Sequence, residues 1–443
     1  MIIEVLRVLA LLATPNVAAA LTGPAGGLTL DQALELARAN LPALRQARAQ
    51  TDQARGLHDE ARAGWYPTVT ATIGYKRTTG NLAINPGLTP TGETLPGASM
   101  NTYNYFANSI SASQLLWDFG QTSNKIAATM ETARSQQESE RTVLLQAEFA
   151  VRTAFFTAAA QNALIGVAEV NLQNNETHLA ETRAFVKEGT QPDIALATAE
   201  ANQANAVVQL ITAKNAYATA KAKLTQAMGS QDPSVSYEVQ DLPFSPVPDE
   251  DGALDKLAVE ALSTRPEEAS LQAQRRSAEA NIRANSDTWF PTISATAAAS
   301  DNGTTLGTTS WLGLTPNVAA GLLLSWSVNV GPYVPAEVRV ARAQLASLDA
   351  QLDTLHLQVR VDVETAQLAV KAARQALVAA KKGFDAAHTQ LRLANGRFSA
   401  GVGNAVEVSD AQLAADQSGG QAVQAQFNLD TSRAQLIEAL GRI

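Results

Sequence analysis

The tripeptide Trp65-Tyr66-Pro67 returns 224 positions later as Trp289-Phe290-Pro291. On both occasions an Ala/Gln/Arg-rich helical pattern runs into an aromatic pair, a proline and then alternating residues. Proline cannot continue a helix and pushes its predecessor towards extended geometry, so each site is a switch from helix to strand. The flanks keep the offset: Leu30/Leu254, Asp31/Asp255, Pro42/Pro266, Ala49/Ala273 and Gln50/Gln274 all pair at 224. A second anchor follows, where Gly189/Gly401, Ala199/Ala411, Leu224/Leu436, Ala227/Ala439 and Gly229/Gly441 pair at 212. One helix–strand–strand–helix–helix unit therefore occurs twice, in 21–229 and in 253–443. Between them, 230–252 is Pro-rich (Pro233, Pro243, Pro246, Pro248) and reads as a linker with room for a short strand.

Composition narrows the class. Of 443 residues 46% are hydrophobic, but alanine supplies much of that share and aromatics only 5%, which suits closely packed helices better than thick cores. A net charge of -9 argues against nucleic acid as a partner, since that needs a basic face. The chain has no cysteine, which excludes disulfides, thiolate metal sites, cysteine nucleophiles and an acylated N-terminal cysteine. His58, His178, His356 and His388 lie far apart in sequence, so a zinc site could form only across helices; solvated helix histidines are the expectation, with no metal and no cofactor. No G-x-S-x-G, P-loop or H-E-x-x-H occurs, and Gly26-Gly27 and Gly401-Val402-Gly403 read as turns rather than phosphate cradles. Nothing points to an enzyme.

Residues 1–20 resemble a secretory signal: Arg7 precedes the apolar run from Val8 to Ala13, and Ala18-Ala19-Ala20 offers small residues for cleavage. No other segment reaches 18 consecutive apolar residues, so membrane insertion requires β-strands.

The strand signals are period-2. Val69, Ala71, Ile73 and Tyr75 alternate with Thr68, Thr70, Thr72, Gly74 and Lys76. After a Gly/Pro/Asn/Thr-rich loop at 78–102 the chain returns through Tyr105–Trp117. In the second copy Ile293, Ala295, Ala297 and Ala299 alternate with Thr292, Ser294 and Thr296, and Leu322, Leu324, Trp326, Val328 and Val330 alternate with Leu323, Ser325, Ser327 and Asn329. Trp65, Trp117, Trp289 and Trp326 mark the strand ends nearest the helices, as an aromatic girdle at a membrane interface would. Ordinary core tryptophans at helix ends are the alternative.

Helical stretches at 121–188 and 332–400 follow the strand pairs; 68 residues at helical rise span about 100 Å. The return helix 190–229 and the helix 42–66 together match that length, which suggests a rod with one long helix beside two stacked shorter ones. Four strands cannot close a barrel, and open edges in lipid leave unpaired backbone groups. The chain must therefore combine with copies of itself, as a dimer, trimer or higher ring.

This repeat resembles the TolC family of outer membrane efflux channels over nearly the whole mature chain. The resemblance is carried by Leu28-Thr29-Leu30, Asn40-Leu41-Pro42, Arg62–Pro67, Gln114–Gly120, Arg397-Phe398-Ser399-Ala400-Gly401 and Ala434–Gly441. It implies a mixed α and transmembrane β fold: a twelve-stranded barrel built by a homotrimer, on a periplasmic α-helical tunnel. It also implies an outer-membrane exit duct for a tripartite pump or type I secretion system. The partners would be outer-membrane lipid, a periplasmic adaptor, and an inner-membrane pump or ABC exporter.

By the same resemblance, the helical tips at Gly189 and Gly401 form the channel entrance. Glu407 and Asp410 lie six and nine residues after Gly401, on one helix face; the same offsets from Gly189 reach Ala195 and Thr198. Family members that gate ionically place a carboxylate ring at these two positions. They tie the coils with an aromatic and an arginine where this chain has Phe398 and Gly403. A solvated acidic face is the bland alternative at Glu407 and Asp410. Two other architectures compete with the channel: a periplasmic coiled-coil adaptor and a structural coiled-coil protein. Neither carries a duplicated strand pair flanked by aromatics.

Overall fold

The computed structural model describes residues 27–79, 102–230, 237–240, 244–303, 317–328 and 331–442. The expected signal segment, most of the loop at 78–102 and Val330 lie outside them. In chain order the elements are α1 Leu30–Asn40, α2 Pro42–Ala63, β1 Thr68–Thr79, β2 Thr102–Trp117, α3 Gln121–Lys187 and α4 Asp193–Ala227. The second copy follows as α5 Leu254–Thr264, α6 Pro266–Asp287, β3 Thr292–Gly303, β4 Asn317–Ser325, α7 Tyr333–Ser399 and α8 Ala405–Ala439. The duplication read from sequence is thus a structural one: α3 and α7 each have 67 residues, and α4 and α8 each have 35.

Two compact units result, and each takes residues from both repeats. One takes the described residues of 1–49, 138–269 and 353–443; the other takes those of 50–137 and 270–352.

Among its described residues the first unit has helices, turns and one β-bridge but no strand. Thr29 opens α1 with a reciprocal capping box: its hydroxyl accepts from the Gln32 amide, and the Gln32 side chain accepts from the Thr29 amide. The face of α1 formed by Ala33, Leu34 and Ala37 is buried with Val151, Phe155 and Phe156 of α3 and with Tyr217 and Leu224 of α4. The second copy repeats this packing with Leu257 and Ala261 of α5, Val359, Val363 and Val370 of α7, and Leu429 and Leu436 of α8. Leu224 and Leu436, equivalent in the repeat, are both fully buried. Burying each such side chain stabilises by about 1.5–3 kcal/mol. By length and composition α3 holds a stretch that could cross a membrane. Val151, Phe155, Phe156 and Ala158 within α3 are buried against protein instead.

The linker supplies the bridge. Leu28 pairs in parallel with Val239, and Tyr217 Oη donates to Glu238 at 2.7 Å. Burial and that bond push the Tyr217 hydroxyl up to about 12. Further along, Glu250 is clamped by Arg374 (2.6 Å) and Arg433 (3.2 Å). A paired, hydrogen-bonded carboxylate is the form in which such a group tolerates burial.

In the other unit small hydroxyl residues let helices approach. Ser135 on α3 meets Ser270 on α6 at 3.0 Å, and Thr132 meets Ser277 at the same distance. Arg276 binds Glu131 at 2.7 Å beside this seam.

The strands form one antiparallel sheet in the order β1-β2-β3-β4. All begin or end close to the predicted positions except β4, which runs Asn317–Ser325 instead of reaching Val330. Its partner explains the shift. Thr292, the first ladder residue of β3, pairs with Ser325, and the preceding Pro291 has no amide to extend the ladder. Trp326 and Val328 therefore lie beyond the strand. Helices α2 and α6 stop at Ala63 and Asp287, before the aromatic pairs, so α2 ends three residues short of Tyr66. The tighter turns close with Tyr66 N donating to Ala63 O (3.0 Å) and Phe290 N to Asp287 O (3.1 Å). At the tip, α4 starts at Asp193 rather than residue 190 because Gly189–Pro192 form the turn.

Candidate functional site

Register decides what the sheet can do. Antiparallel partners share a face. Val69, Ala71 and Ile73 pair with Ala112, Ile110 and Asn108; Ile110 and Ala112 pair onward with Ala299 and Ala297, and these with Val318 and Ala320. The opposite face brings together Thr68, Thr70, Thr72, Ser109, Ser111, Ser113, Thr296 and Ser300. The sheet thus has a mainly apolar side, broken at the neighbours Asn108 and Asp301 and towards its two ends at Arg77 and Gln114, and a hydroxyl-lined side. The apolar side is bare: Ile73 is 88% and Leu322 75% exposed. Tyr75 and Phe106 meet on it at 5.0 Å. Among the described residues β1 and β4 each pair on one side only. Strands of 9–16 residues reach the length a tilted transmembrane strand needs.

The aromatic residues gather where strands meet helices. Trp117 packs edge-on against Phe119 (6.1 Å), and Phe119 stacks on Phe290 (5.2 Å). Phe119 holds this position with φ +58, which few side chains other than Asn, Asp or Gly adopt readily. The turn is tied by Asp118, whose carboxylate accepts from the Gly120 and Thr122 amides at 3.2 and 2.7 Å. Trp326 Nε1 donates to Trp289 O at 3.2 Å, and Gln114 Nε2 donates to Trp65 O at 2.6 Å. Tyr66, Trp117, Trp289, Phe290 and Trp326 are all exposed, and Trp65 is half-buried. An amphipathic ring left exposed beside an apolar sheet face is what a bilayer interface accommodates. Phe119 falls within the Gln114–Gly120 stretch, and only the through-space ring geometry reveals its stack on Phe290.

The helical tips are built alike. Gly189 and Gly401 take φ +76 and +73. At each tip the glycine amide and the next one bond back to the helix: Gly401 N to Phe398 O and Val402 N to Arg397 O, both 3.0 Å, as Gly189 N to Val186 O and Thr190 N to Phe185 O. This is the Schellman pattern, in which a left-handed glycine satisfies the last carbonyls of a helix. Asn404 then caps α8, accepting from the Val406 amide at 3.1 Å. Phe398 is buried with Leu391, Val408 and Ala411, against Phe185 (5.5 Å) and His178 (4.8 Å). At Gly403 a Cβ would lie 2.7 Å from Phe398 N, so the backbone leaves no room for a side chain. Glu407 is half-buried and Asp410 exposed. Glu407 is also paired with Arg397 at 3.2 Å, a partner that the acid spacing did not foretell.

A sheet with one bare apolar face and one hydroxyl face, joined by aromatic-rich turns to hairpins of long Ala-rich helices, defines a subunit of an outer-membrane channel. The chain belongs to the outer membrane efflux protein family, whose profile matches residues 33–230 and 257–442. It is similar to the outer membrane efflux protein BepC of Brucella suis, with 27% identity over 340 residues, covering 75% of this chain and 72% of that one. It is likewise similar to the toluene efflux pump outer membrane protein TtgI of Pseudomonas putida, with 28% identity over 432 residues, 93% of this chain and 84% of the other. In fold it matches the outer membrane protein VceC of Vibrio cholerae with a TM-score of 0.77 at 16% identity, covering 93% of this chain and 96% of that one. The resemblance to TolC-family channels holds. The protein is an exit duct of the cell outer membrane, serving efflux.

Proposed function

We propose that three copies of this chain close a twelve-stranded barrel, with the hydroxyl face lining its lumen and the apolar face against lipid. The observation that supports this is the sheet itself: among the described residues, four strands, one mainly apolar face and two edges that pair on one side only. In lipid, each unpaired backbone group on such an edge costs several kcal/mol. Edge pairing between copies removes that cost.

In this reading the duct is passive and carries out no catalytic step. The Gly189 and Gly401 tips form its entrance, where Glu407 and Asp410 bias entry towards cations. A periplasmic adaptor joins it there to an inner-membrane pump or ABC exporter. Native mass measurement in mild detergent tests the assembly. A trimer is expected, and a stable, fully folded monomer would refute the proposal.

A further inference from the structure

The helical unit contains a slot of about 400 Å³ bordered by α3, α7 and α8. Small residues hold it open. Ala163 and Ala415 contribute only methyl groups to its wall, and a Cβ added at Gly166 would have no atom within 4 Å. One turn beyond Ala415 the helices close up: a Cβ at Gly419 would lie 3.1 Å from Val167 Cγ1 and 3.6 Å from Phe384 Cε2. Val167, Phe384 and Leu391 give the slot its apolar wall.

Two polar groups on one face of α8 are left over inside it. Gln412 is 6% exposed, and its Nε2 donates to Asn174 O at 3.5 Å. Its Oε1 is buried with no hydrogen-bond partner among the described residues. Asp416 stands one turn further on, half-buried, with no hydrogen bond or ion pair among the described residues. Burial pushes its carboxyl above the ordinary range, and no cation offsets that push. His388 stands at the exposed rim.

A buried acceptor without a partner lacks an N–H or O–H donor, and a carboxylate without a counter-charge lacks a cation; a protonated amine supplies both at once. An anion would face Asp416, and a neutral hydrocarbon would leave both groups unmatched. A bare metal ion lacks ligands, because no group of three or more His, Cys, Asp or Glu among the described residues could hold one. The volume falls within the range of roughly 300–1,000 Å³ typical of small-molecule sites.

We propose that this slot binds a small lipophilic ammonium compound, its apolar body against Val167, Phe384 and Leu391 and its N–H groups donating to Gln412 Oε1 and the Asp416 carboxylate. The site is built from residues of one chain and does not use the tip carboxylates.

Calorimetric titration of the full-length protein in detergent, corrected against protein-free micelles, compares 4-phenylbutylamine with 4-phenylbutyrate, which carry similar bodies and opposite charge. Saturable binding of the amine, at least about tenfold tighter than the acid, is expected. Asp416→Asn keeps the shape and should weaken the amine by about tenfold or more. A Cβ at Gly166 meets no atom within 4 Å, and Gly166→Leu favours helix and puts a bulky side chain at the slot wall, so it should abolish binding while leaving the helical circular dichroism unchanged. The proposal is overturned if the parent shows no saturable binding, if amine and acid bind equally, or if both variants bind like the parent.

Discussion

Arg397 Nη1 lies 3.2 Å from Glu407 Oε1, bridging the last turn of α7 and the first turn of α8 across the Gly401 turn. Both side chains are substantially exposed, so the pair adds only about 0–1 kcal/mol to stability. Its consequence is electrostatic. A cation beside Glu407 offsets one of the two acids proposed for the entrance. Arg397→Gln should therefore raise the cation preference of the pore in planar bilayers, and Glu407→Gln with Asp410→Asn should lower it and relieve block by multivalent cations. Asp193→Asn at the other tip should do less, because that acid sits four residues after its glycine rather than six. Unchanged reversal potentials in both the Arg397 and the Glu407/Asp410 variants would leave these groups as merely solvated charges.

Opposite faces of β1 should respond differently to charge. Ile73 belongs to the bare apolar face and Thr72 to the hydroxyl face. A mid-bilayer arginine on a lipid-facing position costs about 2–4 kcal/mol, whereas a lumen-facing one meets water. Ile73→Arg should reduce the amount of assembled protein in outer-membrane fractions, and Thr72→Arg should not. Equal yields from the two variants would contradict the assignment of faces.

The repeat, the strand pairs and the helix lengths were legible because each rests on a local signal: proline after an aromatic pair, period-2 alternation, and glycine at a reversal. The end of β4 was not. Alternation from Leu322 to Val330 looked continuous, but the ladder ends where β3 runs into Pro291, a constraint that belongs to the partner strand. At the tip, the spacing of Glu407 and Asp410 was visible and their surroundings were not. Arg397 reaches Glu407 only because the Schellman turn folds α7 back beside α8, a through-space result that no residue count contains. Phe119 and the slot beneath Gly166 were hidden for the same reason.

Glycine at 403 is required by contact rather than by backbone angle. An added methyl would meet Phe398 N at 2.7 Å and Arg397 C at 2.8 Å. Gly403→Ala should lower stability by about 1–3 kcal/mol, the usual cost of overpacking. Gly383, an exposed residue inside α7, has nothing within 4 Å of its would-be Cβ. Gly383→Ala should stabilise by about 0.5–1 kcal/mol through helix propensity. Thermal melts of the two variants should shift in opposite directions; an unchanged or raised melting temperature for Gly403→Ala would mean that the close approach there is absent.

His178 should make the tip acid-sensitive. Its ring packs 4.8 Å from Phe398, it is 5% exposed, and Nδ1 is buried without a hydrogen-bond partner. Burial disfavours the imidazolium and pushes its pKa below the ordinary histidine value. The folded state therefore binds its proton less readily than the unfolded chain. The stabilising contribution is complete above the unfolded value of about 6.5 and is lost as pH falls from there towards the depressed folded value. One proton limits the slope to about 1.4 kcal/mol per pH unit. His178→Phe keeps an aromatic against Phe398 and cannot be protonated, so it should remove this component of acid destabilisation while changing stability little at neutral pH. Hydrogen exchange at the amides around Phe185 and Phe398, followed from neutral to mildly acidic pH, reads the effect locally. If the parent and His178→Phe lose protection there in parallel on acidification, the buried imidazole is not the group responsible.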